Sequence, residues 1–318
     1  MSADARRPFD VVVLGEVLLE VSTDAPLGDG VPARLGISGD ALNAAAAAAA
    51  AGARTGLVSV VADDEAGRAV RARVAELGVS TDLLVTGEGQ QGLYLTHADP
   101  DGEREFTYVR RGSVGSTLGP EHLDAGVLAA AGAVLAGGIT CAISASARAA
   151  VMAAAEAASR FVYDPNHRPR LRSSEEALAD LLALAPRCAL VTPSYPAETR
   201  LLGASTPQEA ARDLRGRGAR GVAVTCGARG VHVEADGLPD GGTWVDAVPA
   251  PHVVDQTGAG DSFVGTTAAH LALGADLPDA VLQGVAAASL VVGGRGGTGL
   301  VPSAEQVRAH LAARRAGR

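Results

Sequence analysis

HVVDQTGAGDSF, residues 252–263, reads as the end of a short apolar strand (Val253, Val254), a glycine turn and the start of a helix. Phe263, Val264, Thr267, Ala268 and Leu271 continue the apolar pattern with helical spacing. A helix that begins this way leaves backbone N–H groups unpaired at its N-terminus, where the helix dipole also favours negative charge. The small residues at 258–260 let an anion such as phosphate approach the backbone. Asp261 is expected to stay ionised there, because nearby N–H groups favour the carboxylate. A carboxylate beside an anion cradle suits phosphoryl transfer to a hydroxyl, with Asp261 as base and the amides of Gly258, Ala259 and Gly260 as donors. Read alone, GAGD is more often an ordinary capped turn of an α/β protein. It is not a P-loop, since no G-x-x-x-x-G-K-[ST] pattern is present.

Outward from this stretch the chain alternates strand and helix. Downstream lie a helix over 278–292, a glycine-rich loop GGRGGTG at 293–299 and a last helix over 303–313. From about residue 113 the pattern reads as strand 133–138, helix 146–159, strand 161–164, helix 175–184 and strand 188–192. Helices near 197–202 and 207–216, a strand over 221–227 and two strand-like runs, GVHVEAD and TWVDAV, follow. Such alternation implies a parallel, doubly wound sheet flanked by helices, with ligands at the carboxyl ends of its strands. Asp164, Gly227 and Asp255 each close a strand in this reading and so share one edge.

The N-terminal part opens with a buried strand, DVVVL at 10–14. SGDALNAAAAAAAAG then carries an alanine run over 44–51 that favours helix and stops at Gly52. A strand over 57–62, a helix over 65–77 and a strand near 80–86 come next. Two stretches stand apart. Residues 16–38 alternate apolar positions with turn residues, and GLYLTHA (92–98) and REFTYVR (104–110) form a hairpin with Asp101-Gly102 as its turn signal. Both read as exposed strands outside the main sheet.

Composition narrows the function classes. A formal charge of −9 and a pI near 5.3 argue against nucleic acid or anionic membrane as partners. No apolar segment reaches the length of a membrane span, and the charged N-terminus is no signal peptide. Cys141, Cys188 and Cys226 are odd in number and far apart, which fits small buried residues in a reducing cytoplasm. No histidine pair has H-E-x-x-H spacing and no G-x-S-x-G elbow appears.

D-x-T-G-A-G-D-x-F at 255–263, followed by a small-residue helix, resembles the C-terminal signature of the ribokinase-like (PfkB) carbohydrate kinases. G-D-x-L-N-x-A at 39–45 resembles the N-terminal one, with Ser38 where a second small residue is usual. The resemblance spans the whole chain and implies a ribokinase-like α/β core of residues 1–15, 39–87 and 113–318. Residues 16–38 and 88–112 form a small inserted β lid in that scheme. Asp261 is then the catalytic base, with Gly258, Ala259 and Gly260 as the anion hole. Gly39, Asp40 and Asn43 border the acceptor sugar, although spacing alone favours helix capping for Asp40 and Asn43.

Within the family, G-L-Y, Y-x-R and D-x-N-x-R resemble the 2-keto-3-deoxygluconate kinases. This implies that Tyr94, Tyr108, Arg110, Asp164 and Arg168 contact a sugar acid, with Arg168 donating two parallel bonds to its carboxylate. Asn166, Ser194, Thr225, Gly227, Gly230, Gly258 and Gly260 face the nucleotide, and the 278–292 helix and glycine-rich loop flank its adenine. The family's N-x-x-E element is altered here: Ser194 and Ala197 hold its end positions and Glu198 follows one residue later. Glu198 is therefore either a water-mediated magnesium contact or a helix-surface residue, and no metal ligand is assigned. The expected cofactors are ATP and Mg²⁺, with a monovalent cation such as K⁺ near Asp255. The expected enzyme is cytoplasmic, associates through its lid and phosphorylates the primary hydroxyl of a sugar acid, 2-keto-3-deoxygluconate first among candidates. A kinase for a neutral sugar or nucleoside, and a sugar-binding regulator without catalysis, remain the alternatives.

Overall fold

The structure is a computed structural model that describes residues 7–98 and 104–316. It begins with strands β1 (Val11–Leu14), β2 (Leu18–Thr23) and β3 (Ala33–Ser38), helix α1 (Asp40–Ala50), strand β4 (Thr55–Ala62) and helix α2 (Glu65–Glu76). Strands β5 (Leu84–Gly87), β6 (Leu93–Ala98) and β7 (Arg104–Val109) follow, then α3 (Ala125–Ala130), β8 (Ala133–Gly137), α4 (Gly138–Ile143) and α5 (Ala145–Ala157). The middle of the chain supplies β9 (Phe161–Asp164), α6 (Ser174–Leu184), β10 (Cys188–Val191), α7 (Pro207–Gly216), β11 (Gly221–Thr225), β12 (Val231–Ala235) and β13 (Thr243–Val245). Helices α8 (Ala259–Ala272), α9 (Leu277–Val291) and α10 (Ala304–Ala316) close it.

Nine strands form one sheet in the order β13-β12-β11-β10-β9-β8-β1-β4-β5. Its pairings are parallel except those that join β11, β12 and β13. Successive side chains of a strand point to opposite faces, and β1 feeds two hydrophobic layers in this way. Val11 and Val13 pack with α1, α2, α8, α9 and α10, whereas Val12 and Leu14 pack with α3 to α7. That is the doubly wound arrangement read from the alternation. No helix among the described residues is long and apolar enough to cross a membrane.

The other four strands form a separate sheet in the order β3-β2-β6-β7. β6 and β7 pair antiparallel as the hairpin reading requires. Its turn signal, Asp101-Gly102, lies outside the described residues. Tyr94 pairs with both Glu20 and Tyr108, and Glu20 with Gly36, so these positions share one face of the small sheet.

The alanine run does more than favour helix. Helix α1 lies against α8 so closely that a Cβ on Gly265 would sit 2.1 Å from the Ala44 carbonyl oxygen. Only small residues permit backbones this near. Gly265 is one turn after Asp261 and Ala44 is next to Asn43, so the same contact brings those two side chains together.

Three local readings are corrected. Residues 252–255 form no strand: Val253 and Val254 are 61% and 49% exposed. The amides of Val254 and Asp255 both donate to the Val292 carbonyl at the end of α9, which leaves no ladder for a strand. Asp255 therefore closes a loop, and Gly227 lies beyond the end of β11, so of the three expected strand ends only Asp164 is one. The helix near 197–202 is a single 3-10 turn, Thr199–Leu202, and TWVDAV is a strand only over Thr243–Val245.

Candidate active site

Asp261 stands in the first turn of α8, and no side chain caps this helix. Gly258, just before the helix, has φ 81, a left-handed backbone that disfavours other residues. A Cβ there would also meet the Gly297 carbonyl oxygen at 3.0 Å, while one on Gly260 would meet open space. The Ala259 N–H turns back to the Gln256 carbonyl at 3.3 Å, so of the three expected anion donors it is engaged within the turn.

Asn43 Nδ2 donates to Asp261 Oδ2 at 2.8 Å, and Asn166 Nδ2 to Oδ1 at 3.4 Å. Ser38 Oγ donates to Asn43 Oδ1 at 3.1 Å, which leaves the amide's N–H side for the carboxylate. Asn43 is thus no helix cap; Gly39 occupies the cap position and its side-chain-free backbone crosses Glu16. Asp261 departs from expectation in its charge. Burial, helped by the nearby Asp40 carboxylate, pushes it up to about 7, against the pull of Asn43 and Arg168. Desolvation outweighs the helix end. A general base works best with a pKa near the operating pH.

Asp261 belongs to an acidic cluster. Burial also raises Asp40, although Arg110 and Arg168 oppose the shift. Asp164, at the end of β9, is pushed well above the usual carboxylate range by burial and by Glu198 and Asp261. Glu198 is buried, not a surface residue: it accepts the His167 N–H at 2.8 Å and the Ser194 N–H at 2.7 Å. Burial raises its carboxyl too. Arg168 lies within electrostatic reach of all four acids, yet it is exposed and forms no ion pair among the described residues.

Arg110 is placed differently. Its guanidinium forms a buried ion pair with Glu16 at 2.5 Å, lies 5.7 Å from the Tyr108 ring centroid and has an Nε without a hydrogen-bond partner. Ser113 Oγ also donates to Glu16. The Tyr94 hydroxyl donates to Glu20, and burial pushes its phenol far up. Glu16 and Glu20 were not singled out from the sequence, and Ser38 was noted only as a departure from the N-terminal signature. The signal for the two acids was present, as isolated charges inside the apolar run GEVLLEV.

Of the expected nucleotide residues, Asn166, Ser194, Thr225, Gly227 and Gly230 lie at or just beyond the carboxyl ends of β9 to β11, and Gly258 and Gly260 at the start of α8. Ser194 bridges Thr225, and the Tyr195 N–H donates to the Thr225 carbonyl at 2.8 Å. Gly227 and Gly230 have φ 56 and 91 in the turn that follows β11. In the glycine-rich loop, Cβ atoms on Gly296 and Gly297 would meet Glu20 and the Asn43 amide at 2.7 and 2.3 Å. The loop therefore packs between the small sheet and Asn43, and Asp255 accepts its Gly296 N–H at 2.7 Å. A cavity of about 530 Å³ adjoins this loop and is lined by Glu20, Ser22, Arg34, Thr96, Asp255 and Gly296; Asp261 is not in its wall. Among the described residues no group of three or more His, Cys, Asp or Glu is arranged to hold a metal.

A carboxylate with its pKa raised to about 7, beside an open helix end, is suited to moving a phosphoryl group onto a hydroxyl, and the protein is a phosphotransferase with an alcohol acceptor. Comparison with known proteins gives the family. Residues 9–304 match the pfkB family carbohydrate kinases, and the chain belongs to that family. It is 34% identical over 319 residues to the 2-dehydro-3-deoxygluconokinase of Thermoproteus tenax, covering 97% of this chain and 96% of that one. The crystal structure of a PfkB protein from Polaromonas sp. JS666 is 27% identical with a TM-score of 0.82, over 95% of this chain and 99% of that one. A fructokinase from Xylella fastidiosa with bound ATP shares the fold at 22% identity and a TM-score of 0.83, over 96% and 99% of the two chains.

Proposed function

We propose that the chain transfers the γ-phosphoryl group of ATP to the primary hydroxyl of a sugar acid, 2-keto-3-deoxygluconate, giving its 6-phosphate. The observation that carries the acid substrate is Arg168: an exposed guanidinium with no ion pair among the described residues, within electrostatic reach of Asp261. Its planar fork matches a carboxylate with two parallel bonds. The similarity to the Thermoproteus tenax enzyme supports the same substrate. Asp261 takes the hydroxyl proton, and the open end of α8 faces the charge that develops on the phosphoryl group. Asn43 and Asn166 hold the two carboxylate oxygens.

Glu198 helps to raise Asp164, and a divalent cation carried in with the nucleotide would offset that repulsion. Asp164 and Glu198 would face Mg²⁺, which supplies neutralisation of phosphate charge when bound. The loops that meet at Asp255 are where a monovalent cation belongs in this reading. The enzyme is placed in the cytoplasm with its ATP.

The Arg110–Glu16 pair favours a second reading, a neutral sugar, because it already neutralises one expected carboxylate ligand. An ATP-consumption assay over sugar acids, ketoses and nucleosides separates the two. Arg168→Ala is expected to raise KM for 2-keto-3-deoxygluconate at least tenfold, since hydrogen bonds to charged groups contribute roughly 1.5–3 kcal/mol. An unchanged substrate preference would remove the sugar-acid assignment. Asp261→Asn is expected to keep ATP binding and lose about 10²–10⁴-fold in kcat.

A further inference from the structure

Asp180 is a deeply buried acid that the proposed reaction does not use. It lies in α6 with its side chain 2% exposed, and two arginines converge on it. Arg148 of α5 donates its Nε to Oδ1, whereas Arg172 Nε lies 2.9 Å from Oδ2 as an ion pair without hydrogen-bond geometry. A carboxylate removed from water needs such partners.

The two arginines differ in what else they hold. Arg148 is 39% exposed, and its guanidinium contacts Asp180 alone among the described hydrogen bonds and ion pairs. Arg172 is 19% exposed and sits at the end of the loop that follows β9. Its Nη1 donates to the Cys141 carbonyl at 3.3 Å, and its own carbonyl meets the His167 ring at 3.1 Å. The amides of Leu171 and Arg172 close onto the Arg168 carbonyl at 2.9 and 3.2 Å. At the other end of this loop Glu198 holds the His167 N–H, and Asn166 is kept at φ 36, an uncommon conformation for a residue with a side chain. Residues 165–172 are therefore fastened at Glu198 on one side and at Asp180 on the other, with Asn166 and Arg168 carried between.

We propose that Asp180, acting through Arg172, is a positioning residue that fixes the loop presenting Arg168 to the substrate carboxylate. The inference rests on the sugar-acid reading for its kinetic consequence, while the geometry of the loop stands apart from it. A guanidinium binds a carboxylate through two bonds only when its plane is held, and small misplacements are costly. Asp180 touches no substrate; it sets where Arg168 begins.

The test compares the two arms of the same carboxylate. Arg172→Ala is expected to raise KM for 2-keto-3-deoxygluconate roughly tenfold and to leave KM for ATP within about twofold. Arg148→Ala, which also removes one partner of Asp180, is expected to lower thermal stability and leave both KM values within about twofold. In an Arg168→Ala background the Arg172→Ala effect should vanish, because both act through one group. Equal KM shifts from the two arms, or full additivity with Arg168→Ala, would overturn the proposal. If Arg172→Ala does not fold, Arg172→Lys keeps the charge and loses the fork, and the same shift is expected. Amide hydrogen exchange on the unliganded protein needs no substrate. Protection across 165–172 should fall in the Arg172 variant and not in the Arg148 variant, and unchanged exchange in both would refute the positioning role even if the substrate proves to be another sugar.

Discussion

Asp261 shows how burial and its neighbours set one proton. Burial and Asp40 push it up to about 7, and Asn43 pulls it back by donating to the charged form. In its proposed role the Asp261 carboxylate must be ionised to act, so kcat/KM should fall as pH drops through an acid limb near 7. Asn43→Ala removes the pull and should move that limb to higher pH; a limb that stays put would disconnect Asn43 from the base. Stability carries the opposite sign. The native pKa lies above the unfolded value, so the contribution of Asp261 to stability is fully present below about pH 4 and is lost as pH rises through about 7. Asp261→Asn should therefore raise Tm relative to the parent more at pH 8 than at pH 5, as seen in paired thermal melts. A gain independent of pH would point to packing instead.

At the scale of elements, the site depends on how near α1 comes to α8. Gly265 faces the Ala44 carbonyl, and the helices carry Asn43 and Asp261 to the same point. Gly265→Ala puts a methyl group into backbone, which cannot yield without moving a helix. The expected cost is roughly 1–3 kcal/mol in urea unfolding. A fall in kcat should accompany it, because Asn43 and Asp261 are drawn apart. Full activity with unchanged stability would show that the close approach is incidental. The glycine-rich loop adds a second such constraint, since Gly297 leaves room for the Asn43 amide and Gly258 for the Gly297 carbonyl.

At the scale of the whole molecule, the small sheet has two unlike faces. Tyr94, Tyr108 and Glu20 occupy one; Leu35 and Val109, on its outer strands, lie on the other and are 71% and 55% exposed. Apolar side chains left to water on an open sheet invite a second copy of the chain to cover them. Light scattering should give a mass near twice the 31.7 kDa of one chain, and Leu35→Glu with Val109→Glu should return it to one. A parent protein that runs as a single chain would sink this association.

Periodicity and short motifs are properties of chain order, and they carried most of the fold. The β/α alternation, the hairpin of β6 and β7 and the glycine turn before Asp261 were all legible, because each is specified within a few residues. Other features arise only when distant segments meet. Asn43 and Asp261 are 218 residues apart, and their bond requires Gly265 to admit α1. The buried Glu16–Arg110 pair likewise joins two distant segments. The valines at 253 and 254 looked like a strand by composition, but the carbonyl at the end of α9 took the amides of Val254 and Asp255. The ionisation of Asp261 was misread for the same reason: a helix end is visible in a sequence, whereas the loss of water around a carboxylate follows from everything packed above it.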